Sequence, residues 1–597
     1  MCGIIGYIGF EDAVPIITDG LKRLEYRGYD SAGIAVLGGD KFAVVKREGR
    51  MEKLESQLAK TPISGNLGIG HTRWASHGPP SDENSHPHIA GRIALVHNGI
   101  IENYLSIKEK LAGRGIVYSS QTDSEVVAHL IDAYYDGDLV DAVIRAAGEI
   151  AGSFALGVMC ADEPDILVAI KKDNPLIVGV SDAGNFIASD VPAILARTRS
   201  VHYLNDMEIA VIREKSVEFF DIDKNPIDKT PEIIDWDMEA AEMGGYPHFM
   251  MKEIMEQPAV LRHTFAAAKD GRVIDSLDIA RFNRIIITAC GSAYNAGMVA
   301  KYAIERLCRI CVEVELASEF RYKDPIVDEN SLVIVISQSG ETADTIAAMR
   351  EAKRLGATTF AIVNVVGSTI AKEADHAIFT AAGPEIAVAT TKAFSAQLML
   401  LYIMAVRFAL QLNRITTQQS DELINEIAAL PEKVDQILTN PEFIKKYADA
   451  QINRNSIFFI GRNIDYAIAM EGSLKLKEIS YIHSEAYAGG ELKHGTISLM
   501  EENTLVIAIS CSERLETKIM NNVEQVISRG AFALIIGNAS GSIDSQKIRR
   551  VALPACHELF APSLSVIIMQ LFSYYVAAAK GLDIDKPRNL AKSVTIE

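Results

Sequence analysis

The strongest constraint on this chain is that its second half repeats itself. The run Ile285-Ile286-Ile287-Thr288-Ala289-Cys290-Gly291 opens a helical stretch from about Asn295, as Ile457-Phe458-Phe459-Ile460-Gly461 does before 465–478. Leu332–Ser337 is echoed by Leu505–Ser510, and the segment from Gly356 by the segment from Gly530. The offsets are 170, 173 and 174 residues (291 to 461, 337 to 510, 356 to 530). Near-constant offsets over such a length indicate duplicated domains of about 130–175 residues. Strand–helix alternation within each copy predicts a doubly wound parallel sheet with helices on both faces. Leu559–Ala579 carries no charge and raises the alternative of a membrane span. Pro562, Gln570, Tyr574, Tyr575 and three serines make a poor lipid-facing surface. The repeat pairs this stretch with Ala393–Val406, so a helix cradled inside each copy is expected.

The first part reads differently. From Met1 to about Asp235, short apolar runs are split by Gly, Asn and Asp: 43–45, 93–96, 154–159 and 176–178 predict strands, with helical periodicity near 105–112 and 125–134. Between Asp221 and Glu242 stand eight carboxylates and two lysines, a pattern for a hinge, or for a surface loop and helix. The expected division is 2–235, a linker 236–250, the two repeat copies 251–425 and 426–582, and a tail 583–597. The net charge of −19 gives no general attraction to nucleic-acid phosphates or anionic lipid. Seven scattered cysteines suggest no disulfide framework, and the start Met-Cys-Gly-Ile-Ile-Gly-Tyr shows no leader pattern. A soluble cytoplasmic protein without nucleic-acid or membrane partners is expected.

Two places carry chemistry. After the strand ending at Ile336 comes Ser337-Gln338-Ser339-Gly340-Glu341-Thr342, then a helix through Arg350. Hydroxyls, a glycine and free backbone N–H groups at a strand's carboxyl end suit a phosphate; an N-cap on an ordinary serine turn fits the same residues. The second copy reads Ser510-Cys511-Ser512-Glu513-Arg514, which lacks the glycine and the threonine and sets a carboxylate where a phosphate would approach. One binding copy is therefore expected. The loop resembles that of the sugar isomerase (SIS) domain family, whose flavodoxin-like domains bind phosphorylated ketoses or aldoses. The resemblance implies phosphosugar contacts from Ser292, Ser337, Gln338, Ser339, Thr342, Val388, Thr390 and Ala591.

The other place is Cys2. Once Met1 is removed it carries a thiol and a free α-amine, which titrates near pH ~8 and can activate its own side chain. An incidental residue at a frayed terminus is the alternative. Cys2-Gly3-Ile4-Ile5-Gly6, Tyr26–Gly33, Gly70–Ala75, His97-Asn98-Gly99 and Thr122-Asp123 resemble the class II glutamine amidotransferases, which have an N-terminal-nucleophile αββα fold. The resemblance implies that Cys2 attacks the amide of glutamine and that Asn98 and Gly99 form the oxyanion hole. It further implies that Arg73 and Asp123 hold the substrate's α-carboxylate and α-ammonium, that Trp74 and His77 line the glutamine site, and that Arg27 supports the nucleophile.

His71, His77, His86, His88 and His97 lack a third partner of fixed metal-ligand spacing and read as loop and core histidines, and Cys308-Arg-Ile-Cys311 has no second pair. No metal or organic cofactor is expected. Together the two resemblances cover essentially the whole chain. They imply a two-site transferase that moves nitrogen from L-glutamine to fructose 6-phosphate through an enclosed ammonia channel gated by Trp74. By the same resemblance Lys592 forms a Schiff base with the C2 ketone and His494, from the partner of a homodimer, opens the sugar ring. Glu478 then moves a proton between C1 and C2, and Lys475, three residues earlier on the same helical face, stabilises charge. Lys475 and Lys477 also fit a solvated helix flank, and Lys592 a frayed terminus. Ala293 stands where the family commonly has a hydroxyl, and Thr390 replaces a serine.

Overall fold

The computed structural model describes residues 2–234, 243–537 and 546–594. The chain divides into two compact units, Met1–Ala241 with the tail from Ala591, and Glu242–Leu590.

In the first unit, alternation of apolar residues builds two antiparallel sheets. The eight-stranded sheet runs Glu232–Ile233, Ser200–Tyr203, Ile177–Ser181, Gly184–Ala188, Gly3–Gly9, Leu67–Arg73, Ser31–Gly38, Lys41–Glu48. The six-stranded sheet runs Val217–Phe220, Ile209–Ile212, Glu163–Lys172, Gly152–Cys160, Ile93–Ile101, His88–Ala90. Side chains from both sheets, among them Ile4, Ile187, Val96 and Ala169, form one core between them. The outer faces pack on helices: Ala13–Leu24 and Met51–Lys60 against the first sheet, Ser124–Tyr134 and Leu139–Ala147 against the second. This is the expected αββα sandwich. The hinge expected at Asp221–Glu242 is corrected in part. Phe220 bridges Pro226, and Glu232–Ile233 pairs with Ser200–Val201, so the acidic segment through Ile233 belongs to this unit. Residues 235–242, which hold the rest of that hinge and half of the expected linker, lie outside the described residues.

The second unit contains two five-stranded parallel sheets of identical order. One runs Cys311–Leu316, Arg284–Ala289, Ser331–Ser337, Thr358–Val363, His376–Phe379; the other runs His483–Ala488, Ser456–Gly461, Leu505–Ser510, Phe532–Gly537, Ile548–Val551. In each, the order reverses between the first and third strands in sequence, which opens a crevice at their carboxyl ends. The helix after the first strand of each copy, Gly291–Cys308 and Ile464–Ser480, packs against its counterpart, so the copies share one continuous core. The apolar helices Lys392–Gln411 and Pro562–Ala579 are long and apolar enough to cross a membrane, yet 89% and 83% of their apolar windows are buried in this core. Each fully buried Leu, Ile or Phe there contributes about 1.5–3 kcal/mol.

Three boundaries differ from the sequence reading. The first copy's helix begins at Gly291, four residues before Asn295, because Gly291 adopts φ +55° and turns the chain at once. The expected linker end at 250 falls inside helix Phe249–Met255, whose first N–H groups donate to Asp585. The expected border at 425/426 cuts helix Thr417–Ala428, which Thr416 opens with a reciprocal capping box to Gln419.

Candidate active site

In the first unit, Cys2 directly precedes the strand Gly3–Gly9, in which Ile4 lies opposite His71 and Ile5 opposite Ala188. This pairing carries Cys2 to Trp74, whose N–H donates to Sγ at 3.3 Å. The Cys2 carbonyl accepts from Arg27 Nε at 3.3 Å and from Asn98 Nδ2 at 3.1 Å. Burial pushes the Cys2 thiol up, while the Trp74 N–H and the Arg73 charge pull it back. A buried thiol of this kind needs a base.

Asn98 is held from three sides. Its Nδ2 donates to Ser189 Oγ at 2.8 Å as well as to Cys2, and its Oδ1 lies 3.1 Å from His71 Nε2. His71 Nε2 also lies 3.0 Å from the His97 carbonyl, so it faces two acceptors and must carry the proton. The buried, neutral ring therefore fixes which way the Asn98 amide points. Gly99 follows at φ +132°, where a Cβ would lie 2.0 Å from the Ser153 carbonyl, so only glycine fits. Arg27 also bridges to Asp190 at 2.9 Å, and Asp190 accepts from Tyr26.

Arg73 and Asp123 are each 3% exposed. The Arg73 guanidinium donates to the carbonyls of His77, Gly78 and Pro79, the last two at 2.9 and 3.2 Å. Asp123 accepts from the Ile101 N–H at 2.8 Å. Neither has an ion-pair partner among the described residues, and both act electrostatically on the Cys2 thiol. His77 is half-buried with its ring against Tyr104, and Trp74 sets its ring against Tyr29 at 5.9 Å. The remaining histidines pack ring on ring, His86 lying 4.1 Å from His71 and 4.4 Å from His88. Among the described residues no group of three His, Cys, Asp or Glu is arranged to hold a metal.

In the second unit, the loop after strand Ser331–Ser337 folds on its own hydroxyls. Ser337 Oγ lies 3.0 Å from Thr342 Oγ1 and accepts from the Gly340 N–H, also at 3.0 Å, and Ser339 Oγ accepts from the Glu341 N–H at 3.1 Å. Thr342 is the N-cap of helix Ala343–Arg354 but makes no side-chain cap, which leaves that helix's first-turn N–H groups open to an anion. Gly340 adopts φ +67° with a Cβ position only 2.1 Å from Ser368 Oγ. Gln338 receives the Asn364 N–H on its carbonyl, and Val388 donates its own to Asp585. Thr390 lies nearby in sequence, two residues before helix Lys392–Gln411.

Facing this copy, helix Ile464–Ser480 carries a buried charge cluster. Lys475 is 1% exposed; its Nζ lies 2.6 Å from Glu478, 3.5 Å from Glu471 and 3.1 Å from Ser292 Oγ. Lys477 is exposed. Glu471, fully buried, accepts from Ser292 Oγ at 2.9 Å and Asn295 Nδ2 at 2.8 Å. Burial raises the Glu471 carboxyl against the pull of Lys475; for Lys475, burial lowers the ammonium, but Glu478 and Glu471 prevail and hold it above its usual value. Ser292 is thus engaged by Glu471 and Lys475 here. His494 lies exposed in the short turn Glu491–His494. Ala591 and Lys592 belong to the half-buried tail grouped with the first unit.

In the second copy, two carboxylates meet the loop, Asp465 and Glu558. Asp465 Oδ2 accepts the Cys511 N–H at 3.0 Å, and Ser512 Oγ donates to Glu558 at 2.6 Å. Glu513, expected in that place, is exposed at the start of helix Glu513–Ile527. Sequence reasoning also missed Glu471, Ser189 and Asp190. Glu471 was within reach, because 471, 475 and 478 share one helical face; Ser189 and Asp190 carry no local signal and reach the site only through the pairing of Gly184–Ala188 with Gly3–Gly9.

The glutamine amidotransferase domain family matches residues 71–196, and the SIS domain family matches 278–407 and 452–580. Over its full length and theirs, the chain is 52% identical to a glutamine–fructose-6-phosphate aminotransferase [isomerizing] of Caldanaerobacter subterraneus and 50% identical to that of Clostridium acetobutylicum. The C-terminal domain of glucosamine-fructose-6-phosphate aminotransferase from Francisella tularensis matches 58% of this chain and 99% of its own, at 38% identity and a TM-score of 0.56. With a two-sheet amidotransferase unit, a duplicated SIS unit and full-length relatives at half identity, the chain belongs to the family of isomerizing glutamine–fructose-6-phosphate aminotransferases.

Proposed function

We propose that this chain transfers the amide nitrogen of L-glutamine to fructose 6-phosphate and isomerises the adduct, giving glutamate and glucosamine 6-phosphate for amino-sugar synthesis. The observation that carries the reading is the setting of Cys2. A buried guanidinium and a buried carboxylate, neither ion-paired among the described residues, act on one thiol. Unpaired buried charges are costly, and a zwitterionic amino acid with its carboxylate on Arg73 and its ammonium on Asp123 satisfies both. The substrate amide then lies toward Sγ, with His77 and Trp74 along the wall.

The free α-amine of Cys2 takes the thiol proton as Sγ bonds to the amide carbon. Asn98 Nδ2, exchanging its bond to the Cys2 carbonyl for one to the substrate, and the Gly99 N–H stabilise the oxyanion, a contribution of about 3–4 kcal/mol. The α-ammonium returns that proton to the substrate nitrogen, so collapse expels ammonia and leaves a thioester, which water hydrolyses to glutamate and the free thiol. In the other half, Ser337, Gln338, Ser339 and Thr342 hold the phosphate with the open helix N-terminus, and Val388, Thr390 and Ala591 contact the sugar. His494 assists ring opening. Lys592 condenses with the C2 ketone and loses water, and ammonia displaces the lysine to give the C2 imine. Glu478 removes a proton from C1 and returns one to C2, while Lys475 balances the charge that develops. Ser292 holds Lys475 and Glu471 in register.

Ammonia must reach the sugar before water protonates it, so an enclosed channel with Trp74 as its gate belongs to this reading. The exposure of His494 supports its donation to a second copy, in a homodimer. The chain works as a cytoplasmic enzyme, with no nucleic-acid or membrane partner. Borohydride reduction in the presence of fructose 6-phosphate should add one sugar-phosphate mass, and Lys592→Ala should abolish it. An adduct that persists in Lys592→Ala overturns the Schiff-base assignment.

A further inference from the structure

The duplicated unit contains a cavity whose walls correspond to those of the proposed sugar site with the two copies exchanged. In the first copy, the proposed sugar site is built from the loop after Ser331–Ser337, the start of helix Gly291–Cys308 and the C-terminal half of the other copy's helix Ile464–Ser480. The exchanged elements are the loop after Leu505–Ser510, Asn463 at the start of Ile464–Ser480, and the end of Gly291–Cys308. A cavity of about 420 Å³ is lined by Glu305, Arg306 and Arg309 from that helix end, with Asn463, Arg514 and Glu558. The repeat offsets place Glu305 at the position of Lys475 (170 residues), Arg514 at that of Glu341 and Glu558 at that of Glu385 (173 each).

Its chemistry differs from that of its counterpart. The Cys511 N–H is already taken by Asp465, so an anion is not held on this loop as in the first copy. Charge comes instead from three guanidiniums around the opening. Glu558 is occupied by Arg306 and by Ser512 Oγ at 2.6 Å, and Glu305 accepts the Val312 N–H at 3.1 Å. Arg309 and Arg514 have no ion-pair partner among the described residues. Asn463 spends its Oδ1 on the Ile464 N–H at 2.9 Å, which leaves its NH₂ to a ligand. Guanidinium forks match phosphate oxygens, and the volume suits a hexose carrying one.

We propose that this cavity is a second phosphosugar site, with the phosphate on Arg309 and Arg514 and a sugar hydroxyl on Asn463. The site does not depend on the amidotransfer reading, since none of its residues takes part in that chemistry. Equilibrium dialysis of the full chain against radiolabelled fructose 6-phosphate, without glutamine, tests it. Two equivalents per chain are expected. Arg309→Glu with Arg514→Glu, both exposed and without an ion-pair partner among the described residues, should remove one; Arg514→Glu alone should weaken that equivalent about tenfold or more. Ser339→Ala with Thr342→Ala should remove the other. A single equivalent in the unaltered chain, or a second one indifferent to the arginine changes, overturns the proposal. Indifference to Ser339→Ala with Thr342→Ala would instead strike at the substrate site and leave this one standing.

Discussion

Replacing Lys475 by methionine keeps the length of the side chain and removes the cation that, among the described residues, pairs with Glu471 and Glu478. Lys475 Nζ lies 3.5 Å from Glu471 and 2.6 Å from Glu478, and both Lys475 and Glu471 are out of solvent. Breaking a buried pair by removing one partner costs about 3–5 kcal/mol, because the remaining charge stays uncompensated. The burial that already raises Glu471 then acts without Lys475 to oppose it, so its folded-state pKa rises further. A carboxyl with a raised folded pKa binds more protons folded than unfolded. The variant should therefore be least destabilised in acid and lose stability as pH rises above the ordinary carboxylate range near ~4.3. Hydrogen exchange of helix Ile464–Ser480 reads this directly: protection at neutral pH should fall by about 10²–10³-fold or more and recover toward pH 5. Adding Glu471→Gln should restore most of it. Unchanged protection at neutral pH, or a loss that neither acid nor Glu471→Gln relieves, would refute the charge-cluster argument.

Cys2→Ala should abolish glutamate formation while deuterium from D₂O still enters fructose 6-phosphate at C1; loss of both would contradict independent half-sites. His71 is held by burial at about 3 against an ordinary 6.5, so only the unfolded chain protonates it between these values. The first unit should lose stability as pH falls below about 6.5, by up to about 1.4 kcal/mol per unit for this ring, and His71→Phe should make that slope in the unit's melting temperature shallower. The same change frees the Asn98 amide to turn, so glutaminase kcat should fall by up to about 10²-fold with little change in KM. Gly340→Ala sets a methyl against Ser368 at a positive φ; the KM for fructose 6-phosphate should rise with no effect on glutaminase turnover, and an unaltered KM would remove the loop from the phosphate site.

The duplicated unit was legible because each strand–turn–helix echo is local: 285–291 with 457–461, 332–337 with 505–510. What could not be read depends on contacts far apart in the chain. The acidic 221–234 segment looks like a hinge by composition, yet Glu232–Ile233 finds a strand partner at Ser200–Val201. Polar 417–428 reads as a border but forms a capped helix with Ile427 buried. In the second copy the sequence sets a carboxylate beside the loop at Glu513, one residue after Ser512; those that reach it are Asp465, from a neighbouring helix, and Glu558, far along the chain. Cys2, Arg73, Asn98 and Asp123 were legible as motifs. The hold that His71 and Ser189 exert on Asn98 was not, because it exists only once strands Gly3–Gly9, Leu67–Arg73, Ile93–Ile101 and Gly184–Ala188 have come together.

The central claim is that nitrogen released at Cys2 reaches the sugar within one protein. Amide-¹⁵N glutamine and fructose 6-phosphate, incubated with excess unlabelled ammonium, give an aminosugar whose mass decides it. ¹⁵N-labelled glucosamine 6-phosphate is expected despite the unlabelled pool. Glutamate formed with no aminosugar, or an aminosugar carrying the isotope of the bulk ammonium, would contradict it.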